Sequence, residues 1–80
     1  MKTQEAVVKR INDLIVEKHF TEQSLAYSAG MPPSTLKSIL RGSSKNPGII
    51  TIKIICDGLG VTINEFFDCR YFHELEQEIE

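Results

Sequence analysis

Apolar side chains return along this sequence every three or four residues. From about Glu5 to His19, Val7 or Val8, Ile11, Leu14, Ile15 and Lys18 follow the i, i+3, i+4, i+7 spacing of an amphipathic helix. Glu17, Lys18 and His19 break the stripe. Thr21 is then a good N-cap for a second helix, with Glu22 favourably placed in its first turn and Leu25, Ala26 and Ala29 on its inner face. Gly30 ends that helix in the left-handed conformation expected just past a helix end. Pro33 suits the first turn of a third helix, since its φ is already helical and its missing amide had no partner. Leu36, Ile39 and Leu40, with Thr35 at the margin, form that helix's inner face, and Gly42 stops it.

A loop from Gly42 to Gly48 leads into a fourth helix, from Ile49 or Ile50 to Leu59. Ile49, Ile52, Ile55, Cys56 and Leu59 make its core stripe. Ile50 and Ile54 fall on the far side of its wheel, where one-sided burial does not call for them. The β-branched run from Ile49 to Ile55 suits a strand as well, but Pro47-Gly48 before it and the periodicity through Leu59 favour helix. After Gly60, Thr62 and Glu65 form a capping box opening a short helix with Phe66 and Phe67. Residues 69–80 intersperse Tyr71, Phe72, Leu75 and Ile79 with four glutamates, as a short helix or an acidic tail. The expected fold is all-α: five helices over residues 1–68 around one small core, with 69–80 as an appendage.

The third helix has two chemically opposite faces. At about 100° per residue, Pro33, Ser34, Lys37, Ser38 and Arg41 share one arc and the apolar residues fill the other. Hydroxyls and cations with no acid among them form a surface that can lie against a polyanion. Two short helices joined at a glycine, the second so divided, are the sequence form of a helix-turn-helix, whose second helix enters the DNA major groove.

The net charge of −2 argues against nucleic acid until its distribution is examined. Residues 1–22 hold four acids and four bases. Residues 23–56 hold Lys37, Arg41, Lys45 and Lys53 and no acid, and residues 57–80 hold seven acids against Arg70 alone. The middle third is therefore a localised cationic footprint. Cys56 and Cys69 show no CxxC and no histidine at ligand spacing, so neither a metal site nor a disulfide is expected, and Cys56 reads as a small buried hydrophobe. No cofactor is implied. There is no nucleophile with a base and orienter, no phosphate-cradling glycine loop and no paired carboxylates outside the tail, so catalysis is not expected. No apolar run approaches a membrane span and residues 1–10 lack a signal-peptide core, which places the chain in the cytoplasm.

Ala26, Gly30, Leu36 and Ile39 at their spacing, with Gly42, the Ser-Lys-Asn-Pro loop, Leu59-Gly60-Val61 and Glu65-Phe66-Phe67, resemble the phage-repressor (Cro/repressor, or Xre) family over residues 6–68. The resemblance implies a five-helix DNA-binding domain that acts as a dimer on a two-fold-related operator. It implies base reading at Pro33, Ser34, Thr35, Lys37 and Ser38, and phosphate contacts at Arg41, Ser43, Ser44, Lys45 and Asn46. The motif's first residue, often a glutamine touching phosphate, is Glu22 here, a carboxylate that the DNA backbone repels.

The expected function is a sequence-specific regulator of transcription, a repressor in the first instance, binding a pseudo-palindromic double-stranded operator. A homodimer is expected through Ile50, Ile54, Phe67 and Phe72, with the tail's carboxylates facing solvent or a partner protein. The alternative is a protein-interaction module on the same fold, antitoxin-like or sequestering, which Glu22, the acidic last third and the Ile50–Ile54 pair suit.

Overall fold

A computed structural model describes residues 1–44 and 46–79 of the chain. Its helices are α1 (Thr3–Glu17), α2 (Glu22–Ala29), α3 (Pro33–Leu40), α4 (Ile49–Leu59), α5 (Ile63–Phe67) and a single turn, α6 (Arg70–His73). No strand occurs among the described residues. The all-α expectation and its five main helices hold, and the stretch after Asp68 adds the sixth.

Local chemistry sets the boundaries. Thr21 Oγ1 accepts from the Ser24 amide at 3.0 Å, and Ser24 Oγ returns to accept from the Thr21 amide at 2.9 Å. Gly30 sits at φ +69°, where the Met31 amide donates back to the Ala26 carbonyl at 3.0 Å and the Gly30 amide to Tyr27 at 3.1 Å. A left-handed residue here turns the chain at the lowest steric cost when it is glycine. Pro33 occupies the first helical position of α3. At α5 the capping box is complete: Thr62 Oγ1 accepts from the Glu65 amide at 3.0 Å, and Glu65 Oε1 from the Thr62 amide at 2.9 Å. Those bonds to the ionised carboxylate hold Glu65 below the usual carboxylate range.

One layer of apolar side chains joins the helices. Ile11 and Leu14 of α1, Leu25 and Ala26 of α2, Leu36 of α3, Ile55 and Cys56 of α4 and Phe66 of α5 are all but completely buried. Burial in apolar surroundings pushes the Cys56 thiol up. No buried polar side chain is left without a hydrogen-bond partner among the described residues.

Three positions differ from what the sequence led us to expect. Ile49, assigned to the core stripe of α4, is 56% exposed, because it is the first residue of that helix and projects past the edge where Ile52 begins the core. Phe67 and Phe72 are half-buried within the chain itself: their rings meet edge to face at 4.8 Å, and Phe66 joins both. The turn of α6 folds Phe72 back onto α5, so much of the area assigned to a dimer contact is spent closing the monomer core.

One close helix approach is not revealed by spacing alone. A Cβ placed on Gly58 of α4 would lie 2.9 Å from the Ala29 Cβ and 3.0 Å from the Ala29 backbone, and Ser28 Oγ donates to the Gly58 carbonyl at 2.8 Å. Helix propensity favours Gly58→Ala by about 1 kcal/mol, whereas overpacking against backbone costs about 1 to 3 kcal/mol. The steric term wins, and Gly58→Ala should lower the thermal midpoint. An increase would show that α2 and α4 can separate freely.

Candidate nucleic-acid interface

The turn at Gly30 and the burial of Leu36 and Ile39 fix which side of α3 faces outward. With these two residues buried in the core that α3 shares with α1 and α2, Pro33, Ser34, Thr35, Lys37, Ser38 and Arg41 are all exposed on the opposite side. The outer arc drawn from the sequence is thus a contiguous solvent-facing surface.

Ion pairs among the described residues join Lys53 to Asp57 and Arg70 to Glu74, together with one at the start of the chain. Lys53 is therefore partly neutralised, while Lys37 and Arg41 enter no such pair. Glu22 stands exposed in the first turn of α2. Its carboxylate offers no donor to a phosphate.

The loop after α3 is wound back onto that helix. Gly42 takes φ +78°, and the amides of Ser43 and Ser44 both donate to the Ser38 carbonyl, at 3.0 and 3.3 Å. Ser43 and Asn46 are exposed, Ser44 is half-buried, and Lys45 lies outside the described residues. A groove lined by Thr35, Ser38, Ser44, Asn46 and Thr51 brings residues expected to read bases together with residues expected to hold phosphate. Arg41 lines a second groove with Gln4, Glu5, Lys9 and Asn12 of α1.

Three features of this surface were not singled out from the sequence. Gln4 Nε2 donates to the carbonyls of Gly42 at 3.2 Å and Ser44 at 3.1 Å, pinning the loop to α1. Thr51 lines the α3 groove from α4. The N-cap of α4 is Gly48, whose side makes no capping bond, so the first amides of that helix have no side-chain acceptor and carry the positive end of its dipole. Gln4 is 38 residues from Gly42, so no local pattern links them. Glycine before Ile49 was a legible signal for uncapped amides.

No group of three or more His, Cys, Asp or Glu able to hold a metal occurs among the described residues, and both cysteines are free. None of the described helices is long and apolar enough to cross a membrane.

Fold and surface together define a phage-repressor-like helix-turn-helix. Residues 11–66 match the helix-turn-helix family, and the chain belongs to it, a family of DNA-binding regulators. It is similar to the solved structure titled prophage Lp1 protein 11: 36% identity and a TM-score of 0.79, covering 94% of this chain and all of the other. No curated protein matches it.

Proposed function

We propose that the protein is a cytoplasmic repressor that acts by binding rather than catalysis, inserting α3 into the major groove of a pseudo-palindromic operator. The observation that carries this reading is the exposed α3 face, with two cations that form no ion pair among the described residues, three hydroxyls and no acid. Pro33, Ser34, Thr35, Lys37 and Ser38 read base edges from the helix start and outer arc. Arg41, Ser43, Ser44, Lys45 and Asn46 hold the flanking phosphates, with the α4 amides beside them. Guanidinium suits Arg41 to this role because its fork meets two oxygens at once.

Base contacts carry specificity and phosphate contacts carry the salt dependence. Ser34→Ala and Ser38→Ala should therefore change the sequences selected from a random duplex library while leaving the salt slope nearly unchanged. Selection of the same sites by both variants would remove these serines from base reading.

A single module of this size rarely reaches about 10⁻⁸ M specific affinity, which favours a two-fold dimer with α3 helices about 34 Å apart. Ile50 and Ile54, 71% and 39% exposed, supply an apolar face on α4, with the exposed Ile49 adjoining them. This face is also what favours the alternative reading, a protein-interaction module. We assign it to a second copy of the chain, with only the outer edges of Phe67 and Phe72 contributing. Ile54→Glu should then sediment as a folded monomer and bind a pseudo-palindromic site at least tenfold more weakly. A wild-type chain that is monomeric at high micromolar concentration and binds one per operator would overturn the dimer.

A further inference from the structure

The acidic end of the chain is not loose. After α6 the backbone crosses the start of α1 and is fastened there by three bonds distant in sequence. The Glu76 amide donates to the Met1 carbonyl at 3.1 Å, Lys2 Nζ to the Gln77 carbonyl at 2.6 Å, and the Thr3 amide to Glu78 Oε2 at 3.0 Å. The tail's carboxylates were expected to face solvent or a partner protein; Glu78 is exposed and also accepts from an α1 amide, which holds it below the usual carboxylate range.

The position of this fastening matters for the DNA-facing surface. Glu78 lines one groove with Gln4, Asn46 and Pro47. Asn46 is also a wall of the α3 groove, and Gln4 is the residue that pins the α3–α4 loop. A carboxylate thus borders the groove that Asn46 and Pro47 of the α3–α4 loop also line, together with Lys2. Lys2, a cation at the same edge, is tied to a tail carbonyl.

We propose that residues 76–79 form an autoinhibitory strap, which opposes DNA phosphates with the Glu78 carboxylate and withholds Lys2 from them. The proposal rests on the DNA-binding reading of α3. An exposed carboxylate acts on phosphate through solvent and is screened over about 8 Å at physiological salt, so the strap acts most strongly at low ionic strength. Releasing Lys2 adds one cation to the phosphate face.

The test is binding of the full chain to a random-sequence duplex from low to physiological salt. Four proteins are compared: wild type, Glu78→Gln, a chain ending at Leu75, and a control, Glu17→Gln, with the same charge change at the far end of α1. Glu78→Gln should bind about threefold more tightly at low salt, and the control no more tightly than wild type. The chain ending at Leu75 should bind tighter still, with a salt slope steeper by roughly 0.9 as Lys2 finds a phosphate. Equal gains for the control and Glu78→Gln would reduce the effect to net charge and overturn the strap. Unchanged affinity of the Leu75 chain, with DNA binding intact, would overturn the strap alone. Absence of binding by all four would overturn the DNA reading, and the strap with it.

Discussion

Reversing both α3 cations, Lys37→Glu with Arg41→Glu, should lower affinity for duplex DNA by roughly 100-fold or more at low salt. Each such contact contributes about 1 to 3 kcal/mol, and each 1.4 kcal/mol is about tenfold. The side chains are exposed and form no ion pair among the described residues, so removing them leaves nothing buried without a partner. Surface changes of this kind stay within about 0.5 kcal/mol of wild-type stability. Fluorescence anisotropy should therefore show binding lost, while the thermal midpoint barely moves. A variant that binds as wild type would place the phosphate contacts on another face.

Phe66→Ala should have the largest effect on stability. The ring is fully buried, with Phe67 edge to face at 4.9 Å and Phe72 at 6.1 Å. The backbone beneath it is held as well: Arg10 donates from Nε to the Phe66 carbonyl and from its terminal nitrogen to the Glu65 carbonyl, both at 2.8 Å. That anchorage prevents α5 from collapsing into the space left by the ring. Truncating a buried phenylalanine costs about 3 to 5 kcal/mol, a large part of the stability of a domain this small. The thermal midpoint should fall by roughly 12 °C or more. A fall of only a few degrees would mean that α5 and α6 close the core without Phe66.

What the amino-acid order made legible was local. Thr21, Gly30, Pro33 and the Thr62–Glu65 box act on backbone groups within four residues, and the structure has each in the expected place. The outer arc of α3 followed because Leu36 and Ile39 leave it no other direction. Periodicity failed at Ile49, since a stripe extends mathematically past the point where neighbouring helices stop covering it. The remaining features depend on residues brought together by the fold. Gly58 against Ala29, Gln4 on the α3–α4 loop, Arg10 on the end of α5 and Glu78 on the α1 amide span 29 to 75 residues of sequence. The tail shows the difference most plainly. Its alternation of apolar and acidic residues suited a helix or a free end, and the partner that decides its course is the start of the same chain.

The most direct measurement of the central claim is a salt titration of binding to a random-sequence duplex, with wild type beside a Lys37→Ala, Arg41→Ala double variant. Logarithmic affinity should fall linearly with logarithmic salt, and the double variant should bind more weakly with a slope shallower by roughly 0.9, the phosphate contact of Arg41 being lost while Lys37 is a base contact. No binding by wild type at low salt, or equal slopes for the two proteins, would contradict the account.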